Sequence, residues 1–282
     1  AMWEQAVERD LLTEEEAPRI YVKLNVTGFL RAAWSAYANW MEAQRVVAEY
    51  LRFHPLPAND RFYGGQVQEN RQVVCIDLAA GDPQAGYATR LRQTLKKAGR
   101  AGLHYEERPL SAPGQAAAFG AYYRDAMRAI GADGFYLFED DYFQAFADTH
   151  GPGQARLGLV THSDHGDNWL AACLLLDAPA LREYHLAASA PAGRPLGAAS
   201  FALHGAALAA KARGASAFYL GGGTDRREDN PLLFFKGGFS PERLPYRVGS
   251  HVFHAAGYEA LKARFPAQWA AHPERPIFWR MV

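Results

Sequence analysis

Long apolar runs are missing from this chain. The longest, Leu170–Leu176, is seven residues, against the roughly 18–20 that a membrane-crossing helix requires, so no transmembrane segment is expected. Cysteine is nearly absent. Only Cys75 and Cys173 occur, both in apolar runs and neither in a CxxC or beside a histidine at metal-ligand spacing; they read as two reduced core cysteines, and no metal site is expected. The opening residues Ala1–Glu16 are acidic and polar rather than basic then apolar, so no signal peptide is read and the expected location is cytoplasmic. Repeats, heptads and low-complexity linkers are also lacking. Net charge is lacking too, since 30 Lys+Arg balance 30 Asp+Glu, which at first argues against a nucleic-acid partner.

The neutral sum conceals a gradient. Residues 1–180 carry 17 Lys+Arg against 23 Asp+Glu, whereas residues 181–282 carry 13 against 7. The basic C-terminal part holds Arg226, Arg227, Lys236, Arg243 and Arg247, a local concentration of the kind that phosphate contacts need. With 49% hydrophobic residues over 282 positions, the chain can bury a substantial core.

Periodicity predicts a mixed α/β chain. Helices are expected over Ala32–Phe53, Tyr87–Arg100, Gln115–Ile130, Asp140–Asp148 and Pro195–Arg213. The second of these carries Arg90, Arg92, Lys96, Lys97 and Arg100 on its polar face. Strands are expected over Gln72–Leu78, Phe135–Phe138, Ala155–Thr161, Asn168–Leu176, Tyr184–Ala188 and Ala215–Leu220. From Arg156 onward the order is therefore β-β-β-α-β. The break in periodicity at Thr149–Gln154 marks the expected boundary between a domain of residues 1–152 and one of residues 153–282.

Four motifs carry chemistry. His162 and His165 with Asp164 and Asp167 could hold a metal, but their close spacing in an Asp/Gly-rich segment reads as a hairpin turn. Arg194–Ala199 fits the [QR]xxGx[GA] pattern of a loop that offers backbone N–H groups to a pyrophosphate. Gly221, Gly222 and Gly223 follow a strand with no GK[ST], so they mark a place where backbone approaches something closely rather than a nucleotide P-loop. In Leu233–Phe239 a lysine, Lys236, follows large apolar residues and precedes two glycines. Partly desolvated there, its charge would act strongly on a developing oxyanion, although a solvated lysine beside a strand edge gives the same pattern.

Taken in order, the strand, Gly221–Gly223, a charged loop, Leu232–Lys236 and Gly238-Phe239-Ser240 resemble the signature of the FemABX-like branch of the GNAT acyltransferase superfamily. Tyr50–Leu56, the strand ending in Asp77-Leu78, Lys96-Lys97-Ala98 and Tyr122–Arg128 extend the resemblance over about residues 48–240. It implies two GNAT-like domains, the N-terminal one abbreviated and on the acceptor side, the C-terminal one on the donor side. It also implies non-ribosomal peptide-bond formation, in which an amino acid moves from a charged tRNA to an amine of a peptide-like acceptor. That acceptor would be a peptide antibiotic intermediate or a peptidoglycan precursor. Carried over residue by residue, Lys236 and Phe235 stand at the reacting carbonyl and Arg128 with Tyr123 at the acceptor. Arg226, Arg227, Arg243 and Arg247 are expected to contact the tRNA acceptor stem. No cofactor, no membrane insertion and a monomer are expected. His185 and Asp225 are candidates for a general base, and neither is assigned. Two other readings compete: an acyl-CoA-dependent N-acyltransferase, resting on Arg194–Ala199, and a binding module without catalysis.

Overall fold

The computed structural model describes residues 16–151 and 153–280. The chain is mixed α/β and divides into a smaller unit, residues 1–70 with 245–282, and a larger one, residues 71–244. The expected division at 152/153 lies inside the larger unit, between a helix and a strand that pairs back across that point.

The smaller unit contains helix α1 (Glu16–Ala43), strand β1 (Ala48–Arg52), most of strand β8 (Arg243–Val252), and helices α7 (Ala255–Arg264) and α8 (Pro266–Ala271). β1 and β8 are antiparallel, Tyr50 opposite Ser250. The helix expected to run from Ala32 to Phe53 instead stops at Ala43. Arg45 takes a left-handed φ of 56°, which ends helical geometry, and Val46-Val47 leads into a strand that the β-branched pair favours. Within that strand Glu49 is buried and accepts hydrogen bonds from the hydroxyls of Tyr37 (2.5 Å) and Tyr63 (2.7 Å).

In the larger unit, the part of strand β2 (Gln66–Asp77) from Arg71 onward and strands β3 (His104–Pro109), β4 (Ala155–Thr161), β5 (Ala171–Ala178), β6 (Leu181–Ser189) and β7 (Ala217–Gly222) lie in the order β2-β7-β6-β5-β4-β3. All neighbours are antiparallel except β6 and β7. Helices α2 (Thr89–Arg100), α3 (Gln115–Ala129), α4 (Asp140–Thr149), α5 (Ala198–Ala212) and α6 (Pro231–Gly237) complete it. Alternation along the strands divides the core into two clusters. Val160, Ala171, Cys173 and Leu175 pack with α2 and α5, whereas Leu157, Leu159, Leu174 and Ala188 pack with α3 and α4. Residues 135–138, expected as a strand, are not one: Gly134–Tyr136 form a single 3₁₀ turn that the Asp133 carboxylate caps by accepting from Phe135 N at 2.8 Å, and 137–138 are irregular. The His162–Asp167 segment is a turn. His162 donates from Nε2 to the Ala101 carbonyl and accepts at Nδ1 from Asp164 N.

One fully buried cation ties this unit together. Arg182 on β6 donates to Asp177 on β5 (2.6 and 2.7 Å), to Glu107 on β3 (2.6 Å) and to the Ala206 carbonyl on α5 (3.0 Å). Glu107 also accepts from Arg156 (2.9 Å), from Tyr105 (2.7 Å) and from Arg213. Burial opposes ionisation of Glu107, but the hydrogen bond and charge of Arg182 outweigh it and hold the carboxyl below its usual value. Its contribution to stability is therefore present above the ordinary carboxylate pKa and lost as pH falls below it. Replacing Arg182 by Met takes the shared buried cation from Asp177 and Glu107, although Glu107 keeps Arg156 and Arg213, and is expected to cost about 3 kcal/mol, read from the midpoint of urea unfolding. Raising the pH from 4 to 7 should stabilise the wild type more than the variant, and equal responses would contradict this account.

Candidate active site

β6 and β7 are parallel for only three pairs, Leu181–Glu183 against Ala217–Tyr219. Beyond these, β6 stays with β5 and β7 stays with β2, so the two strands part. Both carry an irregularity just past the parting. His185 is the extra residue between Tyr184, opposite Leu175, and Leu186, opposite Leu174. Leu220 is the extra residue between Tyr219, opposite Cys75, and Gly221, opposite Val74. Bulges re-aim side chains and end pairing, and a gap at the carboxyl ends of diverging parallel strands is where open α/β sheets place ligands.

The glycine triplet finishes β7 at this gap. Gly221 has a φ of 73°, a conformation that costs other residues strain. A side chain on Gly222 would stand 2.7 Å from the Gln72 carbonyl, and one on Gly223 would collide with the Asn230 side chain. The close approach expected here is thus to the protein's own polar groups. Asn230 caps α6 by accepting from the backbone N–H groups of Leu232 and Leu233, and donates to Thr224 Oγ1 at 2.8 Å. Pro231 takes the first helical position, where its missing N–H costs nothing.

That short helix delivers Lys236 back to the strand end. The residue is 7% exposed, and Nζ donates to the Gly222 carbonyl at 2.8 Å. It stands 5.5 Å from the centre of the Tyr184 ring, whose face attracts the cation. Arg71 Nη1 donates to the next carbonyl, Gly223 O, at 2.8 Å. Burial, and then the charge of Arg71, pull the Lys236 pKa down to about 8. Phe235, one residue earlier, packs at 5.7 Å from the Phe239 ring and borders a cavity with Arg90, Leu91, Thr94, Ser200 and Gly238. The expected Lys236, Phe235 and Gly221–Gly223 are thus gathered at one strand end. Arg71, Tyr184 and Asn230 join them unforeseen. Of these only Asn230 had a local signal, the Asn-Pro start of a helix.

The other expected residues fall elsewhere. Tyr123 is buried in the α3–α4 cluster, stacked on Phe138 at 6.0 Å. Burial pushes the hydroxyl pKa of Tyr184 up. Arg128 is exposed and pairs with Asp125 at 3.1 Å. Arg227 pairs with Asp225 and Asp229, Arg243 donates to the Ser240 and Glu242 carbonyls, and Arg247, in the smaller unit, pairs with Asp60. Arg226 has no hydrogen bond or ion pair among the described residues. His185 shares a 2.7 Å hydrogen bond with the Tyr142 hydroxyl and its pKa is lowered by burial. The Asp225 carboxylate accepts from Arg227 N, which lowers its pKa. Gly197, in the Arg194–Ala199 loop, opens α5 with a φ of 73° and faces Thr94 so closely that a side chain would stand 2.6 Å from its methyl. No side chain caps that helix start.

No protein-family model and no curated protein matches the chain. Solved structures do. FemX superposes with a TM-score of 0.66 at 14% identity, over 83% of this chain and 79% of that one. The C-terminal domain of a putative lysylphosphatidylglycerol synthetase from Agrobacterium fabrum gives 0.57 at 18% identity, over 82% and 75%. L-PGS from Bacillus licheniformis gives 0.55 at 13%, over 78% and 72%. What the chain shares with these proteins is the fold, the one that the resemblance of its motifs implied.

The folded chain releases the Lys236 proton near pH 8, before the unfolded chain does. Unfolding free energy is therefore expected to rise with pH between about 8 and the ordinary lysine value near 10.4. Lys236→Met removes this increment. A side-chain titration by NMR should show one lysine titrating near 8 that is missing from the variant; if Lys236 titrates as ordinary lysines do, its burial is not as described.

Proposed function

We propose that the chain is an acyltransferase that moves an aminoacyl group from a charged tRNA to an amine of a peptide-like acceptor. The observation that carries this reading is the buried Lys236 ammonium, held on the Gly222 carbonyl at the parting of β6 and β7. The shared fold with FemX supports it. In the reaction the acceptor's neutral amine attacks the ester carbonyl, and the new C–N bond converts that carbonyl oxygen to an oxyanion. As the oxyanion collapses the C–O bond to the ribose breaks, and the leaving 3′-oxygen takes the proton that the amine loses.

Lys236 supplies positive charge where the oxyanion develops. Its low-dielectric position strengthens that interaction, and its fixed hydrogen bond removes the need to reorganise. Arg71 on the adjacent carbonyl adds to the positive potential. Phe235 borders the cavity with apolar surface and excludes water, which would otherwise hydrolyse the donor ester. A second donor has one observation in its favour: the uncapped start of α5 after Gly197 could receive the pyrophosphate of an acyl-CoA.

Incubating the protein with a pool of charged tRNA, and separately with acyl-CoAs, in the presence of candidate peptide amines separates these donors. Transfer from charged tRNA that RNase abolishes is the expected result; transfer from acyl-CoA alone would overturn it. Lys236→Met should lower kcat by about 100-fold or more, the scale for losing one oxyanion partner. A variant with unchanged turnover would point instead to a binding module without catalysis. The donor KM should also rise with salt.

A further inference from the structure

The arginines first expected to meet the donor are mostly engaged with carboxylates or carbonyls, whereas two cations on and beside helix α2, Arg90 and Arg194, have side chains without a hydrogen bond or ion pair among the described residues. Helix α2 carries Arg90, Arg92, Lys96, Lys97 and Arg100 and no acidic residue. Arg90, Thr94 and Lys97, at i, i+4 and i+7, lie along one face. That face borders the loop before α5: Thr94 abuts Gly197, and Lys97 Nζ donates to the Pro195 carbonyl at 3.3 Å. Arg194 in the same loop is exposed, and its side chain has no hydrogen bond or ion pair among the described residues. The Arg90 side chain has none either. Its guanidinium instead lies 4.5 Å over the ring of Phe234.

Phe234 is the second observation. It is 62% exposed on α6, next in sequence to Phe235, and Arg90, which lies over its ring, lines one cavity with Phe235. A large ring left in solvent, backed by a guanidinium whose donors are unused, is a stacking surface beside a source of phosphate contacts. Acidic peptides would use the charges and ignore the ring. A membrane would use the ring but needs a wider apolar area than one side chain. An unpaired nucleotide uses both, since any base can stack on an aromatic face while the backbone follows the cations.

We infer that the Arg90–Thr94–Lys97 face of α2, the exposed Arg194 and the Phe234 ring form the docking surface for the unpaired 3′ end of the donor RNA, with one base stacked on Phe234. This rests on the reading of the donor as charged tRNA, and it moves the RNA from the arginines near Arg226 to α2. The adenine nucleotide of a coenzyme A shares the chemistry of base and phosphate, so the test separates the two sources.

The experiment titrates the full chain with an uncharged hairpin RNA bearing an unpaired 3′ tail, with the same RNA made abasic at each tail position in turn, and with coenzyme A. Phe234→Ala should weaken binding of the intact RNA about tenfold, within the range for one base–aromatic stack. One abasic position should produce the same loss in the wild type and no further loss in the variant. Arg90→Ala and Arg194→Ala should each reduce the slope of log K against log salt by about 0.7. Because these side chains are exposed, unchanged thermal unfolding checks that the variants fold. The inference is overturned if no abasic position matters, if Phe234→Ala binds like wild type, or if coenzyme A binds and the RNA does not. RNA binding with the expected pattern but no transfer from charged tRNA would defeat the proposed reaction and leave the docking surface standing. Transfer from charged tRNA with a donor KM unmoved by Phe234→Ala would do the reverse.

Discussion

A guanidinium with no access to water sets the terms for the larger unit. Removing an ion from water costs several kcal/mol even after relaxation, so Arg182 is tolerable only because Asp177, Glu107 and the Ala206 carbonyl surround it. Those partners come from β5, β3 and α5, which means the cation fixes strand order and helix position at once. Arg182 is also the central residue of the three parallel pairs between β6 and β7, opposite Phe218. The place where the two strands stop pairing is therefore anchored by the most demanding electrostatic arrangement in the unit.

What lies beyond that anchor is a set of local deviations that agree with one another. The bulge at His185 keeps β6 with β5, and the bulge at Leu220 turns the glycine end of β7 toward β2. Gly223 has no side chain because Asn230 needs the space. Asn230 in turn starts the helix that brings Lys236 back onto Gly222. The Asn230 cap satisfies the first N–H groups of α6 and the Gly222 carbonyl receives the amine, so the buried amine is placed by main-chain geometry rather than by opposing charge. No carboxylate among the described residues pairs with it, and its charge stays available to whatever enters the gap.

Much of this was legible in the residue order, and the failures have physical causes. The helices α2, α3, α4 and α5 show 3.6-residue periodicity and clear ends, and they appear within a few residues of expectation. Val46–Arg52 was read as helix because Val46, Val47, Tyr50 and Leu51 satisfy helical and strand spacing alike, and only pairing with β8 decides between them. Lys236 and the glycines stood out because their chemistry is local to a short stretch. Arg71 and Tyr184 could not be found this way. They lie 165 and 52 residues from Lys236 and reach it only through the strand order β2-β7-β6. The charge count pointed to the C-terminal half, but a sum over sequence does not register that Arg227, Arg243 and Arg247 find polar partners nearby, whereas the Arg90 side chain makes no hydrogen bond or ion pair among the described residues.

The seven-residue helix α6 has a bearing on how this arrangement can vary. Its cap at Asn230 and its working residue at Lys236 are six positions apart, a rise of about 9 Å and a rotation of about 600°. One residue more or fewer would swing the amine roughly 100° away from Gly222, whereas changes of side chain between the two ends leave the phase intact. The invariant to seek in other chains is then a distance counted in residues: three glycines, six positions of any kind, Asn-Pro, four positions, and lysine.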